Sequence, residues 1–314
     1  MRAVVVRGWA TPPQVETLEV PTRTTGTTLV RMGAATVGHL DRTILSGGFL
    51  HAPELPYIPG VEGAGTVVES DSFEPGARVW LRGAGLGISR DGTWSEVVLA
   101  PDAAVGALPD DVGIQLGSVF FSPCTSAWVS LHRVAALQPG ERVLVSGPNG
   151  AVGSVTVQLA LDAGAEVVAA VSSEAAARDL PDGVEVLVLD GSGAGPGTPP
   201  EPADVLVDPV GGPVLEQLLQ AVRPGGRAVL VGYVAGTEVR LDLPAFVQRD
   251  VSLLPLNMIR RESQGRAAVP ELLERLGDGR IQIPTTSFGL SEVGDALDWL
   301  GRRGRRGRAV LLPD

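Results

Sequence analysis

Gly147, Gly150 and Gly153 recur at three-residue spacing, directly after the apolar run Val143-Leu144-Val145 and just before Val155, Val157, Leu159 and Ala160. Residue types in that order suit one chemistry. A glycine after a strand permits a sharp turn, a second lets backbone N–H groups approach a ligand, and a third lets a helix pack close to the sheet. The first N–H groups of such a helix lack intrahelical acceptors and attract an anion, a pyrophosphate above all. Gly147, Asn149, Gly150, Ala151, Val152 and Gly153 are therefore candidate contacts to the diphosphate of a dinucleotide. The spacing is G-x-x-G-x-x-G with Pro148 inside it, not the strict G-x-G-x-x-G. An ordinary strand–turn–helix of an α/β protein also satisfies it.

The next strand-like run, Ala165 to Val171, ends on Ser172 and Ser173. An acid at that place would read the ribose 2′-hydroxyl of NADH. Two hydroxyls, with Arg178 nearby, suit the 2′-phosphate of NADPH better, and NADH is the second choice. Cys124 is the sole cysteine, which excludes an intrachain disulfide, a four-cysteine zinc site and a redox thiol pair. In FFSPCTSAW it reads as a small apolar helix residue. Ser46 and Ser89 have no nucleophile elbow around them, so a hydrolase is not supported.

The elements that must position these residues fall into two patterns. Up to about residue 118 the chain is rich in Val, Gly and Pro. Ala3 to Val6, Thr28 to Met32, Gly65 to Glu69, Arg78 to Leu81 and Trp94 to Ala100 read as short strands separated by turn signals, with a short helix in His39 to Gly47. This predicts a barrel-like β domain. A helix is predicted within Gly113 to Leu137. Strands and helices then alternate: strands at Val143 to Val145, Ala165 to Val171, Val184 to Leu189, Val205 to Asp208 and Arg227 to Val231, with helices at Gly153 to Asp162, Ser173 to Leu180 and Pro213 to Val222. That rhythm is a doubly wound parallel sheet. Asp190 to Pro202 is a Gly/Pro-rich loop with no helix. Val251 to Leu254 reads as a strand outside the parallel sheet. Helices at Pro270 to Leu276 and Ser291 to Leu300 and a closing strand at Arg308 to Leu312 return to the β domain. The run GRRGRRGR, Arg302 to Arg308, reads as a solvated turn before the closing strand, with phosphate binding as the alternative.

With 314 residues and 44% hydrophobic content the chain can bury two cores, and a net charge of -11 argues against general affinity for nucleic acid or an anionic membrane. Every basic residue is arginine. There is no signal-peptide core at the N-terminus and no membrane-length apolar run, so a cytoplasmic enzyme is expected.

The blocks PYIPGVEGAGTVVE, FEPGARVW, GTWSEVVLAP, LQPGERVLVSGPNGAVGSVTVQLA, VDPVGG, RPGGRAVLVG, FGLSEVGDALDWL and GRAVLLPD, in this order and spacing, resemble the medium-chain dehydrogenase/reductase superfamily, in its zinc-independent quinone oxidoreductase (zeta-crystallin-like) branch. The resemblance implies an α/β chain. A GroES-like catalytic domain comes from both chain ends (1–118 and 265–314) around a Rossmann domain (119–264), with an active site between them. It implies a homodimer or homotetramer that binds NADPH and reduces small apolar quinones or α,β-unsaturated carbonyls. Asp208 to Gly212, with Val210, would lie by the ribose and nicotinamide. Gly232 and Tyr233 would back the ring, and Leu256 to Met258, with Asn257, would close over it.

Zinc-dependent relatives carry a Cys near Gly38 and a His before Glu62; here that position is Val61, and the cysteine-rich structural-zinc loop is missing, so no metal is expected. The family's Asn-Pro-x-Asp loop reads Gly38-His39-Leu40-Asp41. His39 can replace the lost amide as hydrogen-bond donor or proton relay. Asp41 is expected to hold the loop or reach the nicotinamide side, and Tyr57 offers a hydroxyl or packing. Phe49, His51 and Phe120 are candidates for an apolar substrate wall. Two alternatives remain: an enoyl reductase of a biosynthetic pathway, and a non-catalytic NADPH-binding sensor or structural protein.

Overall fold

The computed structural model describes residues 1–9, 11–47, 53–189, 201–302 and 304–313. Two compact units are present: Met1–Phe121 with Leu276–Gly279 and Ile283–Asp314, and Ser122–Arg275 with Arg280–Gln282. In chain order the first stretch holds β1 (Arg2–Val5), β2 (Gln14–Thr17), β3 (Thr27–Val37), α1 (His39–Leu45), β4 (Glu62–Glu69), β5 (Arg78–Arg82), β6 (Val97–Pro101), β7 (Val105–Ala107) and α2 (Ile114–Val119). Then come α3 (Phe121–Val129), β8 (Arg142–Ser146), α4 (Ala151–Asp162), β9 (Glu166–Val171), α5 (Glu174–Ala177), β10 (Glu185–Val188), β11 (Ala203–Asp208), α6 (Gly212–Leu219), β12 (Val222–Leu230), α7 (Leu243–Arg249), β13 (Ser252–Pro255) and α8 (Glu262–Gly277). The chain ends with β14 (Thr285–Gly289), α9 (Val293–Trp299) and β15 (Arg308–Leu312).

In the first unit β14, β15, β3, β4, β5 and β7 form one path of neighbours, and β6 also pairs with β3. Its core gathers Val30, Leu81, Trp94, Trp299 and Leu311. β15 runs antiparallel to β3 with Ala309 opposite Val37. That register brings the residues before Ala309 alongside those after Val37, which include Gly38 and His39.

In the second unit the described strands order as β10-β9-β8-β11-β12-β13, all parallel. The central strands are apolar runs, as two-sided burial requires: Val143, Leu144, Val145, Val205, Leu206 and Val207 have no exposed surface. The direction of chain progress reverses between β8 and β11, which opens a crevice at their carboxyl ends.

Four local expectations differ from the structure. The strand at Val251 to Leu254 is not outside the sheet: β13 is its sixth strand, parallel to β12. The crossover that makes this possible is α7, capped by Asp242, whose side chain accepts from Ala245 N at 2.9 Å. Leu243 and Val247 face solvent (64% and 74% exposed) and Phe246 alone of the large apolar side chains of α7 packs on the core, so the helix shows no continuous apolar stripe in sequence. α8 begins at Glu262, ahead of Pro270, and it belongs to the second unit as far as Arg275. There Gly265 lies against Thr125 and Arg275 pairs with Asp162. The predicted helix within Gly113 to Leu137 is broken into α2, α3 and a π-helical turn at Ser130–Val134. Phe49, His51 and residues 190–200 of the Gly/Pro-rich loop lie outside the described residues.

Candidate functional site

In the second unit, the predicted coenzyme residues follow the carboxyl ends of the parallel strands. Gly147 turns off β8 with φ 55°, a conformation that favours glycine. A Cβ on Gly153 would stand 2.1 Å from the carbonyl oxygen of Gly147, so α4 approaches the turn as closely as backbone permits. Gly150 is the N-cap of α4 and supplies no side-chain cap. Gly150 N donates back to Gly147 O at 2.9 Å, and the next N–H to reach an acceptor is that of Ser154, bonded to Gly150 O at 2.9 Å. Among the described residues the N–H groups of Ala151, Val152 and Gly153 have no protein acceptor, as a diphosphate site needs. Asn149 fastens the turn sideways: its Nδ2 donates to Ala176 O at 2.6 Å, which ties it to α5.

Ser172 and Ser173 leave β9 on the same edge, both exposed. Ser173 caps α5 by accepting from Ala176 N at 3.4 Å, which uses a lone pair and leaves its O–H free to donate. Arg178 is exposed and makes no ion pair among the described residues.

Asp208 has no exposed surface. Ser146 donates its hydroxyl to Oδ1, and the N–H groups of Val210 and Gly211 donate to Oδ1 and Oδ2 at 3.1 and 2.9 Å. Burial pushes the carboxyl up, against the pull of those three donors. Asp208 thus fastens β8 to the loop after β11 and sets its path. That loop meets the next one: Ala235 N donates to Val210 O at 2.9 Å, and Gly211 bridges to Gly236. Gly232 is half-buried, and Tyr233 is 65% exposed beside it. Leu256 N extends the ladder to Leu230 O at 2.8 Å, and Asn257 caps the turn into α8 through Arg260 N at 3.1 Å.

In the first unit the chemistry gathers where β3 passes into α1. His39 is the first residue of α1. Asp41 is buried, and its carboxylate accepts from Gly38 N at 2.8 Å and Val61 N at 3.1 Å. It clips the loop to the entry of β4. Burial raises it to about 6, opposed by the Gly38 hydrogen bond. Tyr57 is 3% exposed in a cluster with Val6, Ile44 and Val61, and Trp9 lies beside its ring. Its hydroxyl is buried without a hydrogen-bond partner among the described residues, and burial with the Asp41 charge raises its pKa.

Glu62 opens β4 and is 1% exposed. Its Oε1 faces Arg82 Nε at 3.5 Å and its Oε2 faces Arg308 Nη2 at 3.1 Å. Arg308 also donates to Val119 O at 3.2 Å. Arg305 is half-buried over the Trp299 ring, 5.4 Å from its centroid, with Nη2 2.7 Å from His39 Nε2. The arginine run therefore does not form a wholly solvated turn, because Arg305 and Arg308 turn inward. Sequence reasoning misses these two and Arg82, since nothing local marks a guanidinium as buried; the one available signal for Arg305 and Arg308 is their place at or just before the start of the closing strand, and Arg82, the last residue of β5, has none. Among the described residues no three His, Cys, Asp or Glu side chains gather to hold a metal. No described helix is long and apolar enough to cross a membrane.

A parallel sheet of six described strands with a glycine turn and open N–H groups at its switch point, joined in one chain to a largely antiparallel β unit, defines a dinucleotide-binding dehydrogenase or reductase. Comparison with known proteins agrees. The alcohol dehydrogenase GroES-like domain profile matches residues 24–110 and the zinc-binding dehydrogenase profile residues 151–277. YhfP of Bacillus subtilis (strain 168), which carries a provisional quinone oxidoreductase name, is 29% identical over 90% of this chain and 89% of its own. A quinone oxidoreductase-like protein 2 homolog of Nematostella vectensis is 27% identical over 99% and 88%. The crystal structure of an alcohol dehydrogenase superfamily protein from Novosphingobium aromaticivorans superposes with a TM-score of 0.84 at 27% identity over 100% of both chains. The chain belongs to the medium-chain dehydrogenase/reductase superfamily, on its quinone oxidoreductase side, and is an oxidoreductase of that nicotinamide-dependent family.

Proposed function

We propose that this protein is a zinc-independent, NADPH-dependent reductase of quinones or α,β-unsaturated carbonyls. The observation that carries the reading is the environment of Glu62. The residue types around it do not fit a catalytic zinc: both carboxylate oxygens face guanidinium groups, and the residue before it is the apolar Val61. Without a metal to polarise an alcohol, an acceptor that is already electron-poor is the favoured substrate. A bound NADPH supplies the hydride. The N–H groups of Ala151, Val152 and Gly153 hold its diphosphate, and Ser172, Ser173 and Arg178 favour its 2′-phosphate. His39 offers a hydrogen-bond donor to the acceptor oxygen as negative charge develops there. A homodimer belongs to the proposal, supported by β13, an open sheet edge that pairs only with β12 among the described residues.

The test is NADPH and NADH oxidation with a panel of simple quinones and enones, with and without a chelator. Turnover untouched by the chelator is expected. Arg178→Ala should weaken NADPH binding about tenfold, the worth of one charge-assisted contact, and leave NADH unchanged. Tight coenzyme binding with no acceptor reduced would favour the non-catalytic alternative, and turnover restored only by zinc would overturn the reading.

A further inference from the structure

Arg305 and His39 lie far apart in sequence, and the register of β15 on β3 brings them together. The guanidinium is held from three directions: over the Trp299 ring, through Nε to Leu300 O at 2.9 Å, and by Nη2 against His39 Nε2 at 2.7 Å. It has no carboxylate partner among the described residues. The charges acting on the imidazole are cationic: Arg305 and Arg308 from the approach to β15, and Arg42 from α1. The nearby carboxylates are engaged elsewhere, Asp41 with Gly38 and Val61, Glu62 with Arg82 and Arg308.

A guanidinium has donors only, so at 2.7 Å the histidine Nε2 must accept with its lone pair. An imidazolium has no such lone pair. The ring is therefore neutral, with its single proton on Nδ1. We propose that Arg305 is a positioning residue that locks His39 as the neutral Nδ1–H tautomer, so that the ring is a polarised hydrogen-bond donor and not a titrating acid. The inference rests on the reading of His39 as donor to the acceptor oxygen. The guanidinium draws electron density from Nε2 and strengthens Nδ1–H as a donor. In the reduction the acceptor gains a hydride from the reduced nicotinamide, which is oxidised, and a proton from water. His39 stabilises the charge on oxygen and keeps its own proton throughout. Burial and the three arginines support this by holding the imidazolium form down to about 4.

The chain has three histidines, so its imidazole nitrogens can be resolved by nitrogen-15 NMR, and His39→Gln assigns the signal. The expected wild-type result is an Nδ1–H pattern for His39 that stays constant across about pH 5–8, where an unperturbed histidine titrates. Arg305→Ala should release the ring, giving mixed tautomers and a titration moved upward by about one pH unit or more. Arg305→Lys keeps a donor and should restore the wild-type tautomer. In turnover, Arg305→Ala should lower kcat about tenfold with little change in KM and add a pH limb absent from the wild type. An Nε2–H tautomer in the wild type, or a His39 titrating in its ordinary range there, overturns the proposal even if Arg305→Ala does not fold. The same holds if Arg305→Ala leaves the tautomer and titration unchanged. The NMR measurement needs neither coenzyme nor substrate. The tautomer standing with no turnover would count against the reductase reading alone, and turnover with the wrong tautomer would count against Arg305 alone.

Discussion

Replacing Gly153 by alanine tests the coenzyme half of the site with the smallest possible change. The new Cβ would stand 2.1 Å from Gly147 O, 2.8 Å from Gly147 C and 3.1 Å from Pro148 Cα. All three are backbone atoms, so no side chain can swing away; the turn and α4 must separate by roughly 1 Å to restore an ordinary contact. Overpacking of this kind costs about 1–3 kcal/mol. Alanine returns about 1 kcal/mol through its helix propensity, leaving a net loss of about 0–2 kcal/mol. Binding should suffer more than folding. The N–H groups of Ala151, Val152 and Gly153 sit on the segment that moves, and a hydrogen bond to a charged group is worth about 1.5–3 kcal/mol. Losing one such bond weakens coenzyme binding about 10- to 100-fold. The assay is a fluorescence titration with NADPH and NADH alongside urea unfolding. Gly294→Ala is the control: it lies in α9, and a Cβ there meets nothing within 4 Å. It should stabilise the protein by about 0.5–1 kcal/mol and leave binding alone. A folded Gly153→Ala variant that binds both coenzymes with wild-type affinity would refute the close-approach argument.

Three further outcomes concern the first unit. Asp41, at about 6 against 3.8, holds its proton more tightly in the folded state, so stability present below about pH 4 is lost as pH rises through 6. His39, at about 4 against 6.5, does the reverse: stability present above about pH 6.5 is lost as pH falls through 4. Each is worth roughly 3 kcal/mol and they offset one another between about pH 4 and 6. Relative to the wild type, His39→Gln should make stability fall with rising pH in that window and Asp41→Asn should make it rise; parallel pH curves from urea unfolding in all three proteins contradict the assignment. Tyr57→Phe removes a buried hydroxyl that has no partner among the described residues and should be neutral or stabilising by up to about 1–2 kcal/mol; a loss beyond about 1 kcal/mol in calorimetry would show that the hydroxyl is satisfied. Glu62→Gln removes the buried carboxylate charge that faces Arg82 and Arg308 and should cost about 3–5 kcal/mol, and a change below about 1 kcal/mol would count against the ion-pair account.

The sequence by itself determined the nucleotide-binding half of the protein. Gly147 is required by its backbone angle and Gly153 by close approach within one strand–turn–helix, so their spacing carries the information. The apolar runs at Val143 to Val145 and Val205 to Val207 likewise announce two-sided burial, and the predicted coenzyme residues follow because ligands gather at strand ends. The tertiary structure alone decided the rest. β13 joins the parallel sheet because α7, which turns Leu243 and Val247 outward and packs Phe246 on the core, returns the chain in the right direction. Arg305 and Arg308 read as surface charge until β15 pairs with β3 and carries them to His39 and Glu62. Local conformation leaves a mark in neighbouring residues, whereas the partner of a buried charge depends on which distant strands share hydrogen bonds, and no short stretch of sequence encodes that.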